Sequence, residues 1–213
     1  MCQTARKAGA GQKSMSFRYD IRLSGSGGQG LIMMGIILAE AAGVYDGKEV
    51  AQTQSYGPEA RGGSSKAEVI VSDEEIDYPK ALKLDLLLAM SQKALDEYCQ
   101  DLKPDGLLIV DSTFVKTLPV TCPVAHAVRV PFTRLARDHL KIEMVANIVA
   151  LGAISELSSV VSKKAVEASL LARVPKGTEK LNRDALKAGI AAAKRVRKSG
   201  PAPEPGAWEN EDL

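Results

Sequence analysis

Apolar and polar positions follow two periods along this chain, one typical of strands and the other of helices. Between residues 17 and 24 apolar and polar side chains alternate, which predicts a strand. Residues 84–90 and 107–110 are nearly continuous apolar runs, as in parallel strands that are covered on both faces. Further strands are expected at residues 49–54, 66–71 and 124–130.

A helical period occupies most of the segments between and after these strands. Ser91, Ser162 and Asn182 stand where helix N-caps are expected, and Pro104-Asp105-Gly106 predicts a turn before the strand at 107–110. The expected helices cover residues 29–42, 92–100, 132–139, 143–157, 163–173 and 183–197. Strands that alternate with helices predict an α/β fold: a largely parallel open sheet flanked by helices, Rossmann-like, with a helical C-terminal part.

The length of 213 residues suits one domain with appendages, and we expect that domain at residues 15–198. Residues 1–14 have no periodic pattern, and translation can begin at Met15, just before the first strand. Residues 199–213 are rich in proline and acidic side chains and contain too few apolar residues to offset the entropy of ordering. Both ends are therefore expected to be disordered.

Composition excludes several classes of function. The net charge of +2, with no basic patch that carries interleaved aromatics, gives no reason to expect nucleic acid as a partner. Cys2, Cys99 and Cys122 are odd in number and far apart, which indicates free thiols in a reducing cytoplasm rather than a disulfide framework or a metal site. No apolar run reaches the roughly 18 residues of a membrane span, so no membrane partner is expected either.

The hexapeptide GSGGQG, residues 25–30 and here called the glycine loop, follows a strand and opens a helix. Its spacing is that of the dinucleotide-binding fingerprint, in which glycines and a helix N-terminus meet a diphosphate. A nicotinamide-binding unit also needs an acidic residue at the end of its second strand. Here that strand ends Gln52-Thr53-Gln54, so we favour another anion or a partner surface over free NAD or FAD.

A second loop, SYGPEARGGSS at residues 55–65 and here called the arginine loop, follows about thirty residues later. Its glycines allow backbone conformations with positive φ, and Pro58 stiffens the turn. Arg61 offers a planar fork of donors that suits a carboxylate or a diphosphate. The alternative interpretation is a solvated surface turn, since such loops are commonly rich in Gly, Pro and Ser.

Catalytic side chains are scarce. His126 and His139 are interpreted as structural, so neither a catalytic triad nor a histidine-based metal site is predicted. Asp111 ends an apolar strand, where a catalytic carboxylate often stands, but with Ser112-Thr113 it can equally organise a turn. No catalytic residue and no metal ligand are assigned.

The helix expected after the glycine loop is apolar almost all round. Such a helix is either sandwiched inside the fold or docked on another subunit. In the second case the isolated chain would self-associate, for example as a homodimer.

Four segments together carry a family resemblance: GSGGQG at 25–30, QSYGPEARGG at 54–63, NIVALGAI at 147–154 and VPKGTEKLN at 174–182. Over residues 17–196 the chain resembles the gamma subunit of the 2-oxoacid:ferredoxin oxidoreductases. Its arginine loop is similar to the form in the 2-oxoglutarate and branched-chain 2-oxoacid (ketoisovalerate) enzymes. Gamma-type subunits of indolepyruvate or pyruvate oxidoreductases, and a free-standing nucleotide-binding oxidoreductase, are the alternatives.

This resemblance implies a multisubunit enzyme that decarboxylates a 2-oxoacid on thiamine diphosphate, passes electrons through iron–sulfur clusters to ferredoxin and releases acyl-coenzyme A. The implied partners are alpha, beta and ferredoxin-like delta subunits and ferredoxin, and this chain binds no cofactor and has no activity alone. Asn147 is interpreted as an interface or loop-bracing residue. The residues expected at ligand or subunit-interface loops are Gly25, Gly27, Gly28, Gln29, Gly30, Gln54, Ser55, Tyr56, Glu59, Arg61, Gly62, Gly63, Ser64 and Asn147.

Overall fold

The computed structural model describes residues 17–56, 64–124 and 127–199. The expectations for His126, for the middle of the arginine loop at 57–63 and for both chain ends concern residues outside these ranges.

The strands of the described residues form one six-stranded sheet in the order β2-β3-β1-β4-β5-β6. β1, β4, β5 and β6 pair in parallel, whereas β3 pairs antiparallel with both β1 and β2. The mostly parallel α/β sheet is therefore confirmed, with one strand that runs against the others. The strands are β1 (Arg18–Ser26), β2 (Glu49–Tyr56), β3 (Ser64–Ser72), β4 (Leu84–Ala89), β5 (Leu102–Asp111) and β6 (Val128–Val130).

Helices cover both faces of the sheet. The helices are α1 (Leu31–Glu40), α2 (Gln92–Tyr98), α3 (Phe132–His139), α4 (Ala146–Leu157), α5 (Lys163–Arg173) and α6 (Glu179–Ser199). On one face, Ile21 and Leu23 of β1 pack in the main core with residues of α1, α4, α5 and α6. On the other face, Leu87 of β4 and Leu108 of β5 pack with Leu95 of α2. The helical C-terminal part is thus confirmed, and it lies on the α1 face.

Three polar positions of β1, Asp20, Arg22 and Ser24, are buried rather than solvated. Arg22 is only 4% exposed, and its guanidinium donates to Glu68 of β3 at 2.8 Å and to the carbonyl of Ala81 at 3.1 Å. It also ion-pairs with Asp101 and lies 5.0 Å from the centre of the Tyr98 ring. The alternation that predicts this strand therefore separates an apolar face from a face held by buried ionic contacts.

Two of the three predicted N-caps are confirmed. The Ser91 hydroxyl accepts from the N–H of Ala94 at 3.3 Å, and the Ser162 hydroxyl accepts from the N–H of Ala165 at 3.1 Å. The prediction for Asn182 is wrong, because α6 begins earlier and Asn182 lies inside it, donating to the carbonyl of Thr178 at 3.0 Å.

Several boundaries differ from expectation. The first helix begins at Leu31 rather than at 29 because Gly30 is left-handed, and after Glu40 it continues as a π-helical turn, Ala41–Tyr45. The turn predicted at 104–106 lies inside β5, where the pairing register with β4 shifts. The extra residues form an irregularity within the strand. Pro and Gly occur in such irregularities as well as in turns, so the sequence alone does not distinguish the two. The helix expected at 143–157 opens with a 3₁₀ turn, Glu143–Val145.

Helices α4 and α6 approach at two glycines. A β-carbon on Gly152 would lie 2.2 Å from the carbonyl oxygen of Leu186, and one on Gly189 would lie 1.8 Å from the carbonyl oxygen of Val149. Only glycine lets the two backbones come this close. This contact fixes α4, whose N-terminal end adjoins the glycine loop.

Candidate functional site

The sheet has a crevice between the carboxyl ends of β1 and β4. These strands are parallel neighbours, but β1 leads into α1 on one face and β4 leads into α2 on the other. In open α/β sheets such a change of direction leaves a gap at the carboxyl edge, where ligands commonly bind. The glycine loop follows β1 and therefore lies at this point.

The glycine loop places an uncapped helix N-terminus at the crevice. Gly28 and Gly30 have φ values of 89° and 72°, and Gly30 is the N-cap of α1. No side chain caps this helix, and its first turn contains no acidic residue. The first N–H groups of α1 and its dipole thus favour an anion.

Gln29 joins the loop to the end of β4. Its Oε1 accepts from the N–H of Ser26 at 2.7 Å, and its Nε2 donates to the carbonyl of Met90 at 3.1 Å. A β-carbon on Gly25 would lie 2.3 Å from that Oε1. Gly25 therefore makes room for the Gln29 amide rather than for a ligand.

Asn147, the second residue of α4, holds the other end of the loop. It is 7% exposed, and its Nδ2 donates to the carbonyl of Gly30 at 3.2 Å. A β-carbon on Gly30 would lie 2.4 Å from the same nitrogen. By contrast, a β-carbon on Gly28 would meet nothing within 4 Å. Of these three glycines, Gly28 is the one that faces open space.

The arginine loop leaves the sheet beside the glycine loop. In the antiparallel ladders Ser64 pairs with Ser26, and Ser65 pairs with both Gly25 and Tyr56. Gln54 and Ser55, near the end of β2, are exposed. The remaining expected residues of this loop, Glu59, Arg61, Gly62 and Gly63, lie outside the described residues.

This topology also bears on the dinucleotide fingerprint. The strand next to β1 on the side away from β4 is β3, which begins at this edge with Ser64 instead of ending there. In a nicotinamide-binding unit that position belongs to the end of a parallel strand with an acidic residue. β3 runs in the opposite direction, and its first residues include no carboxylate.

A cavity of about 170 Å³ adjoins Gly28. Its wall is partly apolar, with Met144 at 88% exposure, and Glu143 is its charged group. The residues that line it are Gly28, Gln29, Met90, Thr133, Glu143, Met144 and Ala146. An anion at Gly28 would thus have helix dipoles on one side and a carboxylate on the wall.

Asp111 organises a turn. It is fully buried, its Oδ1 accepts from the N–H of Thr113 at 2.9 Å, and its Oδ2 accepts from the N–H and the hydroxyl of Thr133 at 3.1 and 2.6 Å. Both oxygens already accept hydrogen bonds, so this carboxylate holds the segment after β5 against α3. His139 is exposed at the end of α3.

Within residues 17–56, 64–124 and 127–199, no group of three or more His, Cys, Asp or Glu could hold a metal ion. Over the same ranges no helix has the length and apolar character that a membrane span requires.

Comparison with known proteins identifies the family. The family model described as pyruvate ferredoxin/flavodoxin oxidoreductase matches residues 20–192. The chain belongs to this family. It is 48% identical over 185 residues to the 2-oxoglutarate synthase subunit KorC of Methanocaldococcus jannaschii, with 87% of this chain and 99% of the relative covered.

Two solved structures are similar to this member of the pyruvate ferredoxin/flavodoxin oxidoreductase family. One is the gamma subunit of keto/oxoacid ferredoxin oxidoreductase from Geobacter sulfurreducens PCA, with a TM-score of 0.78 and 48% identity over 84% of this chain and 98% of that chain. The other is 2-oxoglutarate:ferredoxin oxidoreductase from Magnetococcus marinus, solved with 2-oxoglutarate, coenzyme A and succinyl-CoA bound. Its TM-score is 0.72 and its identity 25%, over 92% of this chain and 33% of that chain. The family resemblance is thus confirmed.

In this oxidoreductase family member α1 is mostly sandwiched. Met34, Ile37 and Leu38 are fully buried, whereas Met33 is 46% exposed. The helix packs between the sheet and the helices α4 and α5, which accounts for most of its apolar surface without a partner.

Sequence reasoning missed the far wall of the site. Met90, Thr133 and Glu143 come from three different segments, and only the fold brings them to the glycine loop. One local signal existed for Met90, because it directly follows an apolar strand and precedes a helix cap. Nothing local marks Thr133 or Glu143.

Proposed function

We propose that this chain is the gamma subunit of a 2-oxoglutarate:ferredoxin oxidoreductase. The observation that carries the proposal is the match to a 2-oxoglutarate synthase subunit over almost the full length of both chains. The chain contributes a sheet edge to a site that other subunits complete.

We further propose that the glycine loop receives the diphosphate of coenzyme A. The Magnetococcus marinus relative was solved with coenzyme A bound, and a helix N-terminus with free N–H groups is suited to such an anion. Gly28 has open space around its α-carbon, so a phosphate can approach its backbone. In this proposal Arg61 pairs the diphosphate or a substrate carboxylate from the neighbouring loop.

The rest of the chemistry belongs to other chains of the complex. We propose that alpha, beta and ferredoxin-like delta subunits hold thiamine diphosphate and iron–sulfur clusters, and that electrons leave to ferredoxin in the cytoplasm. This chain then orients the acyl acceptor without taking part in electron transfer.

The deciding experiment compares two glycines that have nearly the same positive φ. Gly28 and Gly177 have φ values of 89° and 90°, and neither has an atom within 4 Å of its ideal β-carbon position. Alanine at either position must adopt this positive φ, which costs on the order of 1–2 kcal/mol. Only Gly28 lies at the crevice, since Gly177 lies between α5 and α6.

In the reconstituted complex, Gly28→Ala should raise the KM for coenzyme A by roughly tenfold or more because its methyl group occupies the anion's approach. Both variants should lower Tm by similar amounts, but Gly177→Ala should leave the KM for coenzyme A unchanged. Equal KM values for both variants would refute coenzyme A binding at the glycine loop. If the wild-type complex shows no turnover with 2-oxoglutarate, the proposed reaction is refuted instead.

Arg61 is tested separately. Lys keeps the charge but loses the bidentate fork, so Arg61→Lys should reduce kcat/KM roughly 10- to 150-fold in an assembled complex. Varying 2-oxoglutarate and coenzyme A independently identifies the ligand by the KM that rises. If Arg61 only braces its own loop at the surface, Lys should serve nearly as well and both KM values should stay at wild type.

A further inference from the structure

Strand β2 forms an unguarded edge of the sheet. It stands at one end of the strand order, and among the described residues no strand pairs with its outer edge. It pairs with β3 in an unbroken register from Glu49 to Tyr56, and Glu49 is its only charged residue. Proteins usually protect an edge strand by shortness, by a bulge, or by lysine or proline within it. The opposite edge strand, β6, has three residues, whereas β2 has eight and none of these devices.

Helix α1 carries an apolar stripe beside this edge. Its apolar residues outside the main core are Ile32, Met33 and Ile36. Ile32 and Ile36 are half-buried, and Met33 is 46% exposed. Met34 points into the core, and residues two positions apart on a helix project about 200° apart, so Ile32 and Ile36 lie on the opposite flank.

The contacts of two glycines show that this flank lies over β2. A β-carbon on Gly35 would lie 3.7 Å from Nε2 of Gln52, and one on Gly43 would lie 3.4 Å from a methyl group of Val50. On this face of the sheet α1 and the π-helical turn after it cover β2. The apolar stripe and the open strand edge therefore form one surface with two layers.

We propose that this surface, β2 together with Ile32, Met33 and Ile36 and here called the β2 edge surface, binds a second copy of this chain through antiparallel pairing of β2 with β2. A two-fold axis perpendicular to the sheet keeps both copies of α1 on one face, so the two apolar stripes meet across the axis. The two six-stranded sheets then join into one.

The side chains of β2 suit pairing with themselves. Opposite residues of an antiparallel ladder point to the same face, so such an axis pairs one residue with its own copy. The registers with the longest overlap are centred on Gln52 or on Thr53, and both side chains are neutral and can hydrogen-bond to their copies. Glu49 lies at one end of the strand, so antiparallel pairing keeps the two carboxylates far apart, whereas parallel pairing would align them.

The dimensions of the β2 edge surface match a specific dimer of moderate affinity. A strand of eight residues spans about 26 Å, and a strand layer with a helix layer is about 20 Å deep. These dimensions give about 500 Å² per copy and about 1,000 Å² in total, close to the lower limit for a specific interface. We therefore expect dissociation in the micromolar range.

This dimer leaves the crevice between β1 and β4 open, because β3 separates β2 from β1. The inference is therefore independent of the proposed function, and either can fail without the other.

Sedimentation velocity of the full chain from about 1 to about 200 μM tests the proposal. Wild type should pass from monomer to dimer over this range. Gln52→Lys places two ammonium groups near the axis in either register, so the dissociation constant should rise about tenfold or more. Gln100→Lys is the matched control, since it makes the same change at an exposed residue after α2 and should dimerise like wild type.

Ile36→Glu tests the helical layer of the same surface. Two carboxylates would replace apolar contacts across the axis, so the dissociation constant should again rise about tenfold or more. The far-UV circular dichroism of this variant should match wild type, because Ile36 lies outside the main core. A wild-type chain that stays monomeric at about 200 μM would overturn the proposal. A dimer that both Gln52→Lys and Ile36→Glu leave as tight as wild type would overturn it too.

Cysteine crosslinking checks the two-fold pairing directly. In a chain with Cys2→Ser and Cys122→Ser, either Gln52→Cys or Thr53→Cys should give a disulfide-linked dimer under mild oxidation, because one of them faces its own copy across the axis. Gln100→Cys in the same background should remain uncrosslinked. If neither strand position crosslinks, antiparallel pairing of β2 with β2 is refuted.

Discussion

Asn147 occupies the space that a β-carbon on residue 30 would require. Its Nδ2 donates to the carbonyl of Gly30 at 3.2 Å across 117 positions of sequence, and the same nitrogen lies 2.4 Å from where that β-carbon would be. The absence of a side chain at one residue and the presence of an amide at the other are thus one feature of the fold. This relationship can be measured as a coupling free energy.

Gly30→Ala should destabilise the chain for two reasons. The φ of 72° costs a non-glycine residue about 1–2 kcal/mol, and the Asn147 amide must also move. In an Asn147→Ala background only the backbone strain remains, so the same substitution should cost less. Urea unfolding of the four chains of this double-mutant cycle measures the difference. Equal costs in both backgrounds would mean that the amide is not held in place.

Alanine should have opposite effects at two glycines, one at the contact between α4 and α6 and the other away from it. Gly189→Ala places a methyl group 1.8 Å from the carbonyl oxygen of Val149, so the helices must separate and the free energy of unfolding should fall by about 3 kcal/mol or more. At Gly43, in the π-helical turn, the nearest atom would be a methyl of Val50 at 3.4 Å. Gly43→Ala should be neutral or stabilise by up to about 1 kcal/mol through helix propensity. Thermal unfolding of both variants checks the contrast.

The buried ion pair of β1 and β3 should matter far more than an exposed one. The side chains of Arg22 and Glu68 are 5% and 10% exposed, so Arg22→Met leaves a buried carboxylate and should cost about 3–5 kcal/mol, towards the lower end because Lys66 lies 3.5 Å from Glu68. Arg183→Met is the matched control, since Arg183 and Glu167 pair at 2.8 Å with side chains 43% and 41% exposed. That variant should cost no more than about 1 kcal/mol. Similar losses in both variants would contradict the role of burial.

Stability should fall in acid partly through Glu156. The ion pair with Lys163 holds the pKa of Glu156 below its ordinary value of 4.5, and the Glu156 side chain is only 2% exposed. A carboxyl whose pKa is lower in the folded state stabilises above the unfolded pKa and loses that contribution as pH falls through the folded pKa. Glu156→Gln should therefore be less stable than wild type near neutral pH and lose less stability below about pH 4.5.

The control for this prediction is Glu75→Gln, which removes a carboxylate from an exposed position. Urea midpoints measured from neutral pH into the acid range should follow wild type for Glu75→Gln and a flatter curve for Glu156→Gln. A Glu156→Gln curve parallel to wild type would count against the ion pair with Lys163.

Local features of the fold could be predicted and non-local ones could not. The Ser91 and Ser162 caps depend on hydrogen bonds that span three residues, so the local sequence determines them. The antiparallel direction of β3 depends on which strand it pairs with, and alternation of side chains is the same in either direction. Asn182 has the composition of a cap but sits inside α6, because the helix extends one turn further towards its N-terminus.

The features of the candidate site likewise fall into those that the sequence predicts and those that it does not. The glycine loop is visible in the sequence because its conformation needs glycine at Gly28 and Gly30. The reason why each glycine is there could not be read from the sequence, since Gly25 and Gly30 make room for amides and Gly28 does not.

The glycine loop is held at both ends before any anion arrives, by Gln29 at one end and by Asn147 at the other. The entropy of ordering that turn is thus lost during folding and is not lost a second time on binding. A ligand that docks at Gly28 should consequently bind in a single kinetic phase, without a slow rearrangement, and its measured enthalpy should reflect the contacts it makes. Weakening either amide would leave those contacts possible but return the cost of ordering to the binding step, so affinity would fall through its entropy.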